Sequence, residues 1–251
     1  MWTMSLTEVQ TVDVVKKQIG YKWRAYTGVF MSLVIIQLLG VLFSLNGSGS
    51  GGYGRTGYDI MVQYFSGDII IVFTIFWGFL TALLFTTRAY REDDFSFITN
   101  RTSSTISTIL FLFVISVIGG FTSLLSGYLL KVLTYILFPE GKTLLISNPE
   151  GPGVWIMGLV SVVLIIFMFS SIGYLAGMMI QWNKLFLILL PVLLFGSMTW
   201  LAQSGVMVGE YFYQFYFQEK NFILYVMKTI VSTTGLYTFA AFISNHLEVK
   251  K

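Results

Sequence analysis

Residues 154–180 read VWIMGLVSVVLIIFMFSSIGYLAGMMI, a run without a single charge. A bilayer core about 30 Å thick needs roughly 20 apolar residues in a helix that rises 1.5 Å per residue, so this stretch is long enough to cross it. Outward from it the pattern repeats. Thr27–Leu45 and Ile69–Thr87 each hold 19 uncharged residues. Ile106–Leu130 and Leu185–Ala202 are uncharged too, and Phe222–Ile243 is interrupted only by Lys228. Only helices and closed barrels satisfy their backbone polar groups in lipid, and runs of this length read as helices. The expected fold is an all-α integral membrane protein with six transmembrane helices, a single transmembrane domain over residues 1–251. The spans fall at about 27–45, 69–87, 106–130, 154–180, 185–202 and 222–243.

Composition agrees. Hydrophobic residues make up 55% and charged residues 11% of the chain; soluble domains carry about 25% charge. A water-soluble globule is excluded, and no stretch between the spans is long enough for a separate soluble domain. The net charge of +3 is explained by topology and does not point to nucleic acid. Without cysteine, and with His246 as the single histidine, thiol catalysis, disulfides and His/Cys metal clusters drop out. The polar, acidic opening before the first apolar run predicts no cleaved signal peptide.

Lysine and arginine near span ends set orientation. With the N-terminus cytoplasmic, the inner side holds Lys16, Lys17, Lys22, Arg24, Arg88, Arg91, Arg101, Lys184, Lys250 and Lys251. The outer side holds Arg55, Lys131, Lys142 and Lys220. This asymmetry predicts both termini in the cytoplasm of a cell with the protein in its plasma membrane, and an even span count likewise puts the two termini on one side.

Between the spans, four segments stand out. Ser5-Leu-Thr-Glu8 fits a capping box, and Leu6, Val9, Val12, Val15, Ile19 and Trp23 then recur three and four residues apart. Residues 5–25 therefore read as an amphipathic interfacial helix or as an ordinary juxtamembrane leader. The glycine-rich NGSGSGGYGRTG at 46–57 reads as a flexible outer loop, and Asn46-Gly-Ser matches a glycosylation acceptor. Gln203–Asn221 is aromatic yet polar and fits an interfacial or re-entrant segment before the sixth span. Lys228 lies about two turns inside that span. It either snorkels or meets Glu210 or Glu219, and Glu210 with Lys228 forms a candidate outer gate.

The fourth segment is residues 88–105. Six of the chain's 27 formal charges fall between Arg88 and Arg101, with Phe95, Phe97 and Ile98 among them. It is either a docking surface, where rim charges steer and buried rings anchor, or a positive-inside loop whose rings dip into the interface. No catalytic motif accompanies it. Gly141-Lys-Thr143 lacks the first glycine of a phosphate loop, since position 136 is Ile. Glu92, Asp93 and Asp94 have no histidine partner, and the spans hold no paired acids for a proton relay. No enzyme activity is expected of this chain.

In layout the chain resembles the membrane subunit of a bacterial ABC-2-type exporter. The sharpest likeness is Arg91-Glu-Asp-Asp-Phe-Ser-Phe-Ile-Thr-Asn-Arg101, similar to the family's cytoplasmic coupling segment between spans two and three. On that likeness Arg91 and Glu92 match the segment's start, Phe97 and Ile98 its apolar pair, and Arg101 its closing arginine. Asp93, Asp94 and Phe95 belong to the same ATPase-coupling set. The usual glycine after the acidic pair is absent, and Asn100 stands where proline is common. The resemblance implies a homo- or heterodimer of permease subunits working with separate cytoplasmic ABC ATPase subunits. ATP and Mg would sit on those partners, with no cofactor on this chain, and amphipathic peptides or lipids would be moved outward. The competing expectation is an ATPase-independent membrane protein, a secondary carrier or a peptide-immunity protein.

Overall fold

The computed structural model describes residues 11–47, 49–55, 58–87, 90, 101–137, 143–144, 151–203, 208–219 and 221–246. Helix α1 (Thr11–Ala25) passes through Tyr26 into α2 (Thr27–Ser44). Strands β1 (Gly49–Arg55) and β2 (Tyr58–Tyr64) follow, then α3 (Asp68–Phe85) and α4 (Arg101–Leu137). After the short β3 (Thr143–Leu144) come α5 (Pro152–Trp182), α6 (Phe186–Gln203), α7 (Val208–Phe217) and α8 (Phe222–His246). Six of these helices, α2 to α6 and α8, are long and apolar enough to cross a membrane. The chain is a multi-pass membrane protein.

Local chemistry marks the helix ends. Asp68 places a carboxylate in the first turn of α3, where the exposed N–H groups favour negative charge, and accepts a hydrogen bond from Ser66 at 2.7 Å. Pro152 opens α5 at a position whose N–H has no helical partner anyway. Asn183 ends α5, and its side-chain oxygen accepts the Leu185 N–H at 3.0 Å to turn the chain into α6. α6 then runs on through Pro191 without interruption.

Two helices exceed the expected spans. α4 has 37 residues and α5 has 31, about 55 and 46 Å at 1.5 Å per residue, against a core of about 30 Å. α5 is the hub, packed most extensively on α3 and α8 and also on α4; α2 leans on α3 and α4, and α1 on α4.

The α3–α5 contact depends on absent side chains. A Cβ on Gly173 would overlap the backbone of Phe79, and one on Gly177 would overlap Thr86. From the other side, a Cβ on Gly78 would come within 3.0 Å of Ile166 and Ser170. Gly173 and Gly177 stand four apart, the small-residue spacing that lets membrane helices meet backbone to backbone where apolar burial gives no drive. Gly120 of α4 meets Val163 of α5 in the same way.

The connection between α2 and α3 forms strands where a flexible loop was expected. β1 and β2 pair antiparallel from Gly49↔Tyr64 to Arg55↔Tyr58, and β3 joins in parallel beside Gln63 and Tyr64. Tyr58-Asp-Ile-Met-Val-Gln-Tyr64 carries strand formers at alternate places, which outweigh the glycines of its partner. The β2–β3 pairing brings the first and third inter-span connections together, as alternating crossings require.

α6 is the outlier: none of its span is buried. It touches α5 and α7 only sparsely.

Candidate functional site

Polar side chains gather at three levels of the bundle. At the end that holds α1 and the C-terminus of α8, α1 lies on the first turns of α4. Its buried stripe is Val15, Gln18 and Lys22, continued by Tyr26, Val29 and Leu33 into α2. Spacings of three and four put these residues on one helical face. Lys22 is only 1% exposed, and its Nζ donates to Ser107 Oγ at 3.0 Å and to Thr108 Oγ1 at 2.6 Å. Both hydroxyls pass their own protons to the Ser104 carbonyl, at 2.8 and 2.9 Å, so their lone pairs are free to receive the ammonium. A buried charge is tolerated only with such partners. Gln18, one turn earlier and equally buried, has both amide atoms without a hydrogen-bond partner among the described residues.

Four rings close the same junction. Tyr26 packs against Phe85 at the end of α3 (centroids 5.1 Å apart), Tyr90 (4.8 Å) and Phe111 of α4 (6.4 Å). Phe85 meets Tyr90 at 4.9 Å and Phe111 at 5.3 Å. Tyr90 belongs to the 88–105 segment, so this segment is fastened into the bundle near its start. At its other end Arg101 opens α4, six residues before Ser107. Arg91, Glu92, Asp93, Asp94, Phe95, Phe97 and Ile98 lie outside the described residues.

At the middle level, Gln37 of α2 is buried and its Nε2 faces Thr122 Oγ1 at 3.0 Å, the Gly119 carbonyl at 3.2 Å and Thr74 Oγ1 at 3.4 Å. One side chain thus joins α2, α3 and α4. Nearby, Trp77 donates its indole N–H to Ser32 at 2.9 Å. Towards the α1 end, a cleft of about 310 Å³ opens between α4 and α8. Its walls include Thr102, Thr105, Thr233, Thr234 and Thr238, with Phe167 and Tyr237. That volume lies within the range of small-molecule sites, which are commonly apolar with a few polar groups.

At the opposite end, the structure gives Lys228 a different partner from the one the outer gate required. Lys228 pairs with Glu219, and its ammonium sits over the Phe215 ring, 4.4 Å from the centroid. Glu210 instead accepts from Gln214, one turn along α7, at 3.4 Å. The physical reason is reach: Glu219 lies in the short link between α7 and α8, nine residues from Lys228, whereas Glu210 sits at the far end of α7. Both members of the pair are partly exposed, with side-chain exposures of 31% and 22%. Tyr216 ties α7 to α8 again by donating to Ser232 at 2.8 Å.

Sequence reading missed Lys22 and Gln18. It counted Lys22 only as a basic residue marking the inner side and gave the helix an apolar stripe through Val12, Val15, Ile19 and Trp23. The available signal was the run of hydroxyls Ser103, Ser104, Thr105, Ser107 and Thr108 at the head of α4, too many to serve as caps alone. Gln37 and the Gly173–Gly177 pair were missed too, hidden inside spans read for length and charge.

Among the described residues no three His, Cys, Asp or Glu side chains cluster as metal ligands do. Compared with protein-family models, curated proteins and solved structures, the chain matches none.

Proposed function

We propose that this chain is the membrane subunit of an ATP-driven exporter, acting as a dimer on two cytoplasmic ATPase subunits that bind ATP and Mg²⁺. Both termini face the cytoplasm and the 88–105 segment is the docking element. Arg91, Glu92, Asp93 and Asp94 steer the ATPase, Phe95, Phe97 and Ile98 anchor it, and Arg101 closes the segment. α1 lies in the headgroup layer and α7 in the outer one. The cargo is amphipathic, a peptide or a lipid.

The observation that carries this reading is the anchoring of the segment on both flanks. Tyr90 is packed among Tyr26, Phe85 and Phe111, and α4 starts under the Lys22 contact. A push on the segment therefore reaches α2, α3 and α4 together. The cleft between α4 and α8, with methyl groups and hydroxyls on one surface, suits a cargo that is both apolar and polar.

The test is co-purification with an ATPase encoded beside it, followed by cargo-stimulated ATP hydrolysis in vesicles. The Arg91→Ala, Phe97→Ala double variant is expected to insert normally and to lose ATPase binding or coupling, since a lost aromatic anchor commonly costs about 2 kcal/mol or more. Full coupling in that variant would remove the segment from the mechanism. Activity with no ATPase present would favour the carrier or immunity reading instead. Orientation is checked by Ser48→Cys in this cysteine-free chain, which should react only with reagent applied from outside.

A further inference from the structure

The stripe of α1 that the bundle leaves uncovered is apolar on one edge and cationic on the other. Val12 is 60% exposed and Trp23 46% exposed, with Ile19 partly covered between them. At 100° per residue these three share an edge, and Lys16 lies immediately beside them. Lys17 and Arg24 lie on the polar face, roughly 120–140° round from Val12 and beside Asp13, both exposed like Lys16. None of these three cations has an ion-pair partner among the described residues. Asp13 is the one acid on this face of the helix. The buried face of the same helix carries Val15, Gln18 and Lys22, so the exposed cations are not the ones that hold α1 to α4.

An apolar edge of this kind sinks into the boundary between headgroups and chains. Lys16 beside it then sits at the depth of the headgroup phosphates, and Lys17 and Arg24 act on them from the polar face. Anionic lipid near such a surface is attracted through each lysine or arginine, and the attraction fades within a Debye length. Positive-inside topology alone would require basic residues on this side but would not set an exposed apolar edge beside them.

We infer that α1 is a binding surface for anionic lipid headgroups, built from the immersed Val12, Ile19 and Trp23, Lys16 beside them, and Lys17 and Arg24 on the adjoining polar face. The inference rests on the interfacial placement of α1 proposed above and is independent of the exporter reading. Because Lys22 fastens the buried face of α1 to the head of α4, bound headgroups fix that end of α4 to the bilayer surface. The charge complementarity selects lipids with a net negative headgroup, of the phosphatidylglycerol type, over zwitterionic ones.

The experiment uses the full chain in phosphatidylcholine vesicles containing a minor fraction of phosphatidylglycerol. Val12→Cys supplies a single labelling site, because the chain has no cysteine. A fluorophore there is quenched by spin-labelled phosphatidylglycerol or, in parallel, by spin-labelled phosphatidylcholine. The expected result is several-fold stronger quenching by the anionic lipid, each cation contributing up to about fivefold. The preference should shrink as salt is raised and vanish in the Lys16→Gln, Lys17→Gln, Arg24→Gln variant, whose Val12 label is still quenched by phosphatidylcholine. Equal quenching by both lipids in the parent chain overturns the inference while leaving α1 interfacial; an acidic partner segment then becomes the better occupant. Quenching by neither lipid overturns the interfacial placement and the inference together. A preference that survives in the triple variant assigns it to other residues and also overturns the inference. No ATPase is present in any arm, so the exporter reading neither gains nor loses.

Discussion

Lys22 of α1 donates to Thr108 of α4 at 2.6 Å, joining residues 86 apart in the sequence inside a site closed to solvent. The partner Ser107 makes the second bond at 3.0 Å. Removing the acceptors while keeping the charge is the informative change. Ser107→Ala with Thr108→Val should lower stability by about 3 kcal/mol, since hydrogen bonds to charged groups contribute about 1.5–3 kcal/mol each. It should also loosen α1, which a thiol reagent on Val15→Cys reports as faster labelling. Unchanged labelling and melting would mean the ammonium is held elsewhere.

Gly173 and Gly158 lie on the same helix and predict opposite outcomes. An added methyl at Gly173 meets the Phe79 backbone, which has no rotamer to yield, whereas nothing lies within 4 Å at Gly158. Gly173→Ala should cost about 1–3 kcal/mol or more from overpacking, partly offset by the roughly 1 kcal/mol that alanine gains over glycine in a helix. Gly158→Ala should be neutral or stabilising. Thermal unfolding in detergent compares the two directly, and equal melting points would contradict the close α3–α5 approach.

Gln37→Leu should be a milder change than its central position suggests. Thr74 and Thr122, which face its amide, already donate to their own helix carbonyls at 2.8 Å, so losing Gln37 strands neither hydroxyl. Interhelical hydrogen bonds in membranes average about 0.6 kcal/mol and reach about 2 kcal/mol. A loss within that range in a melting experiment is expected; a collapse of the fold would show that Gln37 carries more than helix association.

For Lys228 a pair of double-mutant cycles separates the two acids. Lys228→Met with Glu219→Gln should show coupling of at most about 1 kcal/mol, because both groups are partly solvated. Lys228→Met with Glu210→Gln should be additive, since Glu210 is engaged with Gln214. Coupling to Glu210 instead would restore the gate originally expected.

What could be read from the sequence was whatever a one-dimensional rule governs. Helix number and approximate bounds followed from charge-free length, because lipid leaves the backbone few alternatives. The α3–α5 approach is a different kind of fact: Gly173 and Gly177 acquire meaning only opposite Phe79 and Thr86, nearly a hundred residues away. Lys22 failed for the same reason. A lysine before a span reads as a solvated topology marker until the hydroxyls of α4 are placed against it. With Glu219, the choice between two acids was settled by where α7 ends, a boundary that an aromatic, polar stretch does not announce.

The length of α4 has a mechanical consequence. A rod of 37 residues, about 55 Å long, tilting by about 5° around its midpoint moves each end by roughly 2–3 Å. Hydrogen bonds of the length that Lys22 makes do not survive a separation of that size. Any rocking of α4 therefore either drags α1 with it or breaks its hold, and the same angle displaces Lys131 to Leu137 the opposite way at the far end. Such a rocking would pivot near Gly119 and Gly120, which face Thr74 and Trp77 of α3 and Val163 of α5.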